Sequence, residues 1–274
     1  MSSSNNKANG LLALFVIYAF FCIGLVGYLA QNPIKSKQLA TTEAPNFSAI
    51  KDISQRKSAF FNFIDPLIQE RNQAILRKRS QLQFIADQLN EEGVLTHRLK
   101  TQLQALATKY RIDTEDLDPA SLIKELDLRI GQIPPSMVLA QAANESAWGM
   151  SRFALKGNNY FGQWCYRKGC GLVPQQRSTG AAHEVAKFKD ARASVTSYFL
   201  NINTHSAYKE LRAIRKQLRS SQQAVTGLQL IEGLRRYSER GDAYVEELAD
   251  MIRFNRLNTK DVRINDEYIA IKPD

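Results

Sequence analysis

Cysteine and histidine are scarce in this chain, which has three of each among its 274 residues. Protein zinc sites use cysteine and histidine ligands at short, regular spacings. The histidines at positions 97, 183 and 205 show no such spacing with the cysteines, so the sequence predicts no metal and no cofactor. Internal repeats are also lacking. A composition of 44% hydrophobic and 23% charged residues excludes a disordered protein and fits one sizeable domain with accessory pieces.

Charged residues are missing from Leu11 to Ala30. A helix that spans a bilayer needs about 20 apolar residues, so this run predicts a transmembrane anchor that follows a short cytoplasmic tail, residues 1–10. A cleaved signal peptide is the alternative. Signal cores are usually shorter, about 7 to 15 apolar residues, and Tyr28-Leu29-Ala30 is a poor cleavage site. We therefore favour an uncleaved anchor, although the few flanking lysines do not orient it.

Two regions follow the predicted anchor. Residues 31–54 are polar and punctuated by proline, which is typical of a linker. Residues 55–130 have a helical pattern, in which Leu95, Leu99, Leu103 and Leu106 recur at steps of four, four and three. This spacing places the leucines on one helix face. We expect an accessory helical region that packs on a catalytic domain at 131–256, with residues 257–274 as a C-terminal tail.

The net charge of +10 favours acidic partners but selects none of them. Two local basic clusters are visible, and we expect both to be solvated helix faces. No zinc, RNP-type or helix-turn-helix signature accompanies the charge, so no nucleic-acid partner is predicted. The clusters are Arg77-Lys78-Arg79 and the set Arg212, Arg215, Lys216 and Arg219.

One carboxylate, Glu145, lies in a run of small residues that the sequence predicts to be a helix. Pro134-Pro135 suit the start of this helix, and Gly149 suits the left-handed position just past its end. Glu145 then lies in the last turn, where the negative end of the helix dipole and burial both raise a carboxyl pKa. A protonated glutamate is the proton donor that glycosidic bond cleavage requires. Taken alone, Glu145 is better explained as a solvated surface residue, as most helical glutamates are. The motifs that follow it reverse this interpretation.

The stretch from Trp148 to Gly180 contains six of the fourteen glycines and both tryptophans. Flat aromatic side chains bind the apolar faces of sugar rings, and glycines let the backbone approach a ligand. Trp164 and Tyr160 are candidates for this role, whereas Phe161 is as well explained as an anchor of the loop. Cys165 and Cys170 in the same loop are compatible with a disulfide or with two free thiols, because spacing does not fix their geometry.

Three segments carry a resemblance to a known family: Ala140 to Gly149, Gly157 to Gly162, and Tyr237 to Tyr244. Together they resemble the bacterial glucosaminidases related to flagellar muramidases, over about residues 133 to 256. The resemblance implies a mainly α, lysozyme-like α+β fold with a small β-hairpin lobe. It also implies hydrolysis of the β-1,4 bond after N-acetylglucosamine in peptidoglycan glycan strands.

The resemblance also implies roles for single residues. Glu145 becomes the general acid, Glu184 in a predicted strand becomes the second carboxylate, and Tyr237 becomes a hydroxyl that holds the substrate's N-acetyl group. If that N-acetyl group itself attacks the anomeric carbon, Glu184 orients or polarises it instead. The predicted substrate contacts are Trp148, Asn159, Tyr160, Phe161, Gly162, Trp164 and Tyr244.

Two other functions stay open on the sequence. The same fold supports cleavage of the lytic transglycosylase or muramidase type, and a chain that has lost its chemistry would be a non-catalytic wall-binding protein. A wall hydrolase has to face the wall. We therefore expect an inner-membrane, single-pass protein with a periplasmic catalytic domain, or a secreted periplasmic protein if the apolar segment is cleaved.

Overall fold

The computed structural model describes residues 40–174, 183–235 and 240–261. Helices dominate these ranges, and the remaining regular structure is one small sheet of three strands. Four short 3₁₀ helices join them, at Phe47–Ala49, Ser206–Tyr208, Ile231–Leu234 and Leu257–Lys260. The α-helices are α1 Ile53–Glu92, α2 His97–Lys109, α3 Pro119–Arg129, α4 Pro135–Ser146, α5 Arg152–Gly157, α6 Ala191–Thr204, α7 Lys209–Ser220, α8 Gly227–Leu230 and α9 Asp242–Phe254.

Helix α4, which carries Glu145, lies at the centre of the core. It contacts α1, α8, α9 and the 3₁₀ helix Leu257–Lys260. Ten of its twelve residues are buried, and its alanines allow neighbouring helices to approach closely. A helix that is buried on all sides belongs to the core of a domain. The elements around it therefore fix the position of Glu145.

The structure confirms the helix starts that the sequence predicts from proline and aspartate. Helix α3 begins at Pro119, and the Asp118 side chain caps it by accepting hydrogen bonds from the N–H groups of Ala120 and Ser121. Helix α4 begins at Pro135, as predicted. The four leucines of the predicted stripe, at positions 95 to 106, are all buried.

The predicted linker, 31–54, differs from the structure at its C-terminal end. Phe47 is only 1% exposed, and its ring packs edge-on against Phe60 of α1. Helix α1 already begins at Ile53, with Asp52 as its cap. An aromatic ring buries too much apolar area to remain on a free tether, so Phe47 fixes this end of the predicted linker to the core.

The predicted C-terminal tail, 257–274, also starts inside the fold. Residues 257–260 form a 3₁₀ helix, and Asp261 is 1% exposed. Its carboxylate accepts hydrogen bonds from the N–H and the hydroxyl of Ser136 and from the N–H of Gly227. These bonds satisfy N–H donors at the N-termini of α4 and α8 that the helices themselves leave unpaired. Burial raises the pKa of Asp261, and its hydrogen bonds partly oppose this shift.

Replacing Asp261 with alanine is therefore expected to destabilise the fold. The substitution leaves the buried N–H groups of Ser136 and Gly227 without an acceptor, and each such loss costs about 1–3 kcal/mol. We expect the free energy of unfolding in urea to fall by about 3 kcal/mol. A loss below about 0.5 kcal/mol would show that this anchor does not stabilise α4.

The sheet consists of β1 Trp164–Cys165, β2 Gly171–Leu172 and β3 Glu184–Ala186, in the order β1-β3-β2 with antiparallel pairing. A disulfide joins Cys165 to Cys170 across the turn before β2. Of the two possibilities that the sequence left open, the structure thus has the disulfide and not two free thiols. A Cβ atom at Gly171 would lie 2.0 Å from the carbonyl oxygen of Val185. Glycine is therefore required there for the strands to meet.

The expectation that both basic clusters are solvated helix faces is wrong for four of their arginines. Arg215 and Arg212 of α7 are buried, and Arg215 donates to backbone carbonyls of Leu128 and Gln132. Arg79 and Arg219 both pair with the carboxylate of Asp127. A guanidinium offers five donors in a fixed plane, which suits the carbonyls that a helix end leaves unpaired. These four arginines therefore stabilise the fold and are not free to bind an acidic partner.

The described residues confirm a mainly helical fold with a small antiparallel sheet, which fits the predicted architecture. Within the described residues, no helix has both the length and the apolar content needed to cross a bilayer. The predicted anchor, residues 11–30, lies outside the described residues.

Candidate active site

Glu145 lies in the last turn of α4, and the chain beyond it takes a sharp path. The predicted left-handed residue, Gly149, has a φ of +77°, but Ala147 at +48° and Trp148 at +59° precede it in the same region. The left-handed conformation therefore starts two residues earlier than predicted. The N–H of Trp148 donates to the carbonyl of Ala143, and the N–H of Gly149 donates to the hydroxyl of Ser146. These bonds fix the end of the helix next to the carboxylate.

A chain of hydrogen bonds ends on Glu145. The hydroxyl of Tyr198 in α6 donates to Oε1 of Gln141, and Nε2 of Gln141 donates to the hydroxyl of Tyr244 in α9 over 3.0 Å. The Tyr244 hydroxyl in turn donates to Oε1 of Glu145 over 2.9 Å. Because the Tyr244 hydroxyl accepts a hydrogen bond from Gln141, its own hydrogen points at the carboxyl group of Glu145.

The two oxygens of Glu145 therefore have different surroundings. Oε1 accepts the hydrogen bond from Tyr244, whereas Oε2 lies 3.5 Å from the position that a Cβ atom would take at Gly162. Gly162 has a φ of +61°, so both its conformation and its lack of a side chain suit this position. A proton on a neutral Glu145 is expected on Oε2, since Oε1 already accepts a hydrogen.

The pKa of Glu145 is raised above its ordinary value. Burial is the main cause, because it disfavours the charged form. The hydrogen bond from Tyr244 lowers the pKa, and the nearby carboxylate of Glu247 raises it. The net direction favours a protonated carboxyl, which is the state that a general acid needs.

Glu145 opens into a cavity of about 610 Å³, which falls within the size range of small-ligand sites. Its walls come from the loop after α2, the end of α4, β1 with its flanking loop, α6 with the turn that follows it, and α9. The lining is partly aromatic and partly polar. It consists of Arg111, Glu145, Phe161, Gly162, Gln163, Trp164, Tyr166, Ser197, Tyr198, Asn201, His205, Ala207, Tyr208 and Tyr244.

Four of the predicted substrate contacts line this cavity: Phe161, Gly162, Trp164 and Tyr244. The Phe161 ring stacks on Tyr198, with centroids 4.0 Å apart, so this side chain also anchors the loop. Trp164 is 52% exposed, and its ring contacts that of His183. Trp164 therefore presents an exposed aromatic surface in the cavity that contains Glu145.

The other three predicted contacts have their side chains in the core or the loop scaffold, and none is among the residues that line the cavity. Trp148 packs against Phe60 and Phe61 of α1. The Asn159 amide donates to the backbone carbonyls of two residues, Gln163 and Ala186. Tyr160 is almost fully buried, and burial raises its pKa to about 12. A substrate contact from any of these three residues stays a prediction.

Glu184 is buried in β3. Its two carboxylate oxygens accept hydrogen bonds from the N–H groups of Gly169 and Gly171, which flank Cys170 in the disulfide loop. Glu184 thus ties this loop to the sheet, and its role as second carboxylate stays a prediction. Tyr237 lies outside the described residues.

One group of possible metal ligands occurs in the described ranges, formed by Cys165, Cys170 and Glu184. Both sulfur atoms of this group are joined in the disulfide. A thiolate is the form of cysteine that binds metal, so the group offers one carboxylate and no sulfur ligand.

Sequence reasoning missed several residues of the site. Gln141 carried a usable signal, because it precedes Glu145 by four positions and therefore shares its helix face. Arg111 lies in the loop after α2, whereas Tyr198 and His205 lie in α6 and directly after it. No local pattern in the sequence indicates that they share one cavity.

Comparison with known proteins agrees with this geometry. Residues 121–257 match the family described as "Mannosyl-glycoprotein endo-beta-N-acetylglucosaminidase". The chain is also 31% identical to "Protein bax" of Escherichia coli (strain K12) over 233 residues, which is 81% of this chain and 80% of that protein. The chain belongs to the glucosaminidase family. No solved structure matches it.

Membership in the glucosaminidase family supports a hydrolase that acts on glycosidic bonds, of the type that acts on peptidoglycan. The matched residues include Glu145, Tyr244 and the loop that carries Trp164. Arg111 of the cavity wall lies before the matched residues. The cleft of this glucosaminidase is therefore built partly by the helical region that precedes the matched domain.

Proposed function

We propose that this glucosaminidase hydrolyses the β-1,4 bond after N-acetylglucosamine in peptidoglycan, with Glu145 as general acid. The observation that carries the proposal is the environment of this carboxyl group. Glu145 is partly buried at the cavity wall, its pKa is raised, and one oxygen is bound by Tyr244 while the other lies near Gly162.

In this proposal, Glu145 donates the proton on Oε2 to the oxygen of the leaving sugar as the glycosidic bond breaks. The Tyr244 hydroxyl then stabilises the resulting carboxylate through Oε1. The exposed ring of Trp164 packs on the apolar face of a sugar. Gly162 leaves room for the substrate beside Glu145, since it has no side chain.

The second half of the reaction is proposed to use Glu184, with Tyr237 as a hydroxyl that holds the N-acetyl group. Glu184 lies in β3, which pairs with β1, and β1 carries Trp164 into the cavity wall. Its two hydrogen bonds to loop amides have to be exchanged for contacts to water or substrate before it can act as a base or nucleophile. If the N-acetyl group of the substrate attacks the anomeric carbon instead, Glu184 orients or polarises that group.

We further propose that residues 11–30 anchor the chain in the inner membrane and that the catalytic domain faces the periplasm. The apolar run supports the anchor. The disulfide between Cys165 and Cys170 supports an oxidising compartment. Cleavage of the apolar run, which releases the domain into the periplasm, is the alternative.

Incubation of the full-length protein with purified peptidoglycan tests the proposed activity. New reducing ends are expected to accumulate with time and with protein concentration. If the glycan stays intact while the protein pellets with the polymer, the protein binds peptidoglycan without cleaving it, which would contradict the proposed hydrolysis.

The pH dependence of hydrolysis is expected to report the pKa of Glu145. Activity of a general acid is present when it is protonated and is lost as the pH rises through its pKa. Tyr244→Phe removes the hydrogen bond that lowers this pKa, while burial and Glu247 still raise it. The alkaline limb of the kcat/KM profile should therefore move to higher pH in Tyr244→Phe.

Tyr166→Phe provides the matched control for this profile. Tyr166 lies in the same cavity wall and is 79% exposed, so removing its hydroxyl should leave the alkaline limb in place. An alkaline limb that moves to lower pH in Tyr244→Phe, or that does not move, would contradict the assignment of this limb to Glu145.

A further inference from the structure

Arg111 extends the cleft beyond the glucosaminidase domain. It lies in the loop between α2 and α3, before the matched residues 121–257, yet it lines the same cavity as Glu145. Its side chain is exposed. The described residues form no ion pair or side-chain hydrogen bond with its guanidinium group. A cation without a partner in a substrate cleft is suited to bind an anionic group of the substrate.

The backbone at Arg111 is held in a conformation that glycine usually provides. Its φ is +56°, and it stands directly after α2, where the N–H of Arg111 donates to Thr108 and the N–H of Ile112 donates to Ala107. This pattern closes a helix with a left-handed residue that is most often glycine. An arginine in this position is strained, and strain of this kind is concentrated at functional sites.

Neighbouring contacts fix the position of this loop. The guanidinium of Arg129 in α3 donates to the carbonyls of Tyr110 and Arg111, and the flanking residues Tyr110 and Ile112 are both buried. These contacts therefore fix the backbone of Arg111, from which its side chain extends.

His205 adds a second donor to the same cavity. Its Nδ1 accepts a hydrogen bond from the N–H of Ala207, so its Nε2 carries the hydrogen. His205 lines the cavity together with Arg111 and Asn201. The cavity that holds Glu145 therefore also contains one full positive charge, at Arg111, and polar groups from His205 and Asn201.

We propose that Arg111, assisted by His205, forms a subsite that binds a carboxylate of the glycan substrate. The proposal rests on the proposed function, because peptidoglycan offers such carboxylates at its muramic acid residues. One source is the stem peptide. The other is the lactyl group, which is a free carboxylate once the peptide has been removed. Neutral oligomers of N-acetylglucosamine offer none.

The test is a binding measurement with the full-length protein in a Glu145→Gln background, which needs no hydrolysis. Three tetrasaccharides are titrated by calorimetry: a peptidoglycan fragment with stem peptides, the same fragment after peptide removal, and the N-acetylglucosamine tetramer. Arg111→Gln is expected to weaken binding of at least one acidic fragment about tenfold, as loss of a charge-assisted hydrogen bond implies. Binding of the neutral tetramer should weaken less than twofold.

The acidic fragment that responds identifies the carboxylate. A loss confined to the fragment with peptides assigns the stem peptide, and a loss confined to the stripped fragment assigns the lactyl group. Equal weakening of the neutral tetramer, no weakening of any ligand, or no binding of any of the three would overturn the proposal. Failure of the proposed function is seen separately, as absence of new reducing ends with the unsubstituted protein.

Two further variants separate binding from stability. Arg98→Gln removes another exposed arginine, on α2 and outside the cavity lining, and is expected to leave all three affinities unchanged. Arg111→Gly removes the charge and relieves the backbone strain at the same time. It should weaken the acidic fragment as Arg111→Gln does while raising Tm by about 2–4 °C. A lower Tm together with lost affinity would indicate a structural role and would contradict the subsite.

Discussion

Replacing Glu145 with glutamine is expected to lower the rate of glycan hydrolysis by at least about a hundredfold. The amide keeps the shape of the side chain and can still accept a hydrogen bond from Tyr244 through its oxygen. It has no acidic proton to give to the leaving sugar, and a positioned general acid contributes about 10²–10⁴-fold to a rate. The release of new reducing ends from purified peptidoglycan measures the effect.

Two controls accompany Glu145→Gln. Glu246→Gln changes an exposed glutamate on α9, the helix that also carries Tyr244, and should keep the unsubstituted rate. Binding of Glu145→Gln to peptidoglycan should persist, because the cavity keeps its shape. A Glu145→Gln variant that retained more than half of the activity would show that another group donates the proton.

Gly149→Ala is expected to produce a large loss of stability. An added Cβ atom would lie 2.6 Å from Cδ2 of Phe47 and 3.3 Å from Cδ2 of Phe60, and these rings are buried in the core. Overpacking of this kind costs about 1–3 kcal/mol. The left-handed backbone, with a φ of +77°, adds roughly 1–2 kcal/mol for a residue with a side chain. We expect the free energy of unfolding to fall by about 3 kcal/mol and Tm by about 10 °C.

Gly93→Ala is the matched control for this variant. Gly93 also has a positive φ, +69°, but an added Cβ atom would meet nothing within 4 Å. This control therefore isolates the conformational cost, and we expect a loss of about 1 kcal/mol. Equal losses in the two variants, measured by urea unfolding, would contradict the claim that Phe47 packs against the end of α4.

Features that depend on neighbouring residues were predictable from the sequence. The start of α4 at Pro135, the cap of α3 at Asp118 and the strand at Glu184 follow from proline, aspartate and β-branched residues whose local preferences agree with the fold. The position of Glu145 in the last turn of α4 follows from the same signals. These features require no knowledge of which elements meet.

Features that depend on distant contacts were not predictable. Phe47 is buried by Phe60, and Arg79 and Arg219 meet at Asp127, although these residues lie on separate helices. The sequence shows the apolar ring and the charges but not their partners. The predicted linker therefore contains a core residue, Phe47, and the basic clusters contain arginines that the fold buries.

The same distinction applies to the candidate site. The family resemblance identified Glu145 and the loop with Trp164, because those motifs are continuous in the chain. The hydrogen-bond chain to Glu145 joins α4, α6 and α9, and Arg111 enters the cleft from the loop after α2. The helical region that precedes the matched domain is therefore part of the cleft as well as part of the core.

The identity of the sugar at the new reducing end shows which glycosidic bond this protein cleaves. Peptidoglycan digested by the full-length protein is reduced with borohydride, and the fragments are identified by mass spectrometry. A glucosaminidase that uses Glu145 as general acid should leave reduced N-acetylglucosamine at the new ends, and this sugar should be absent from the Glu145→Gln digest. Anhydro-muramic acid ends, or reduced muramic acid ends, would contradict a glucosaminidase and would assign the cleavage to the neighbouring bond.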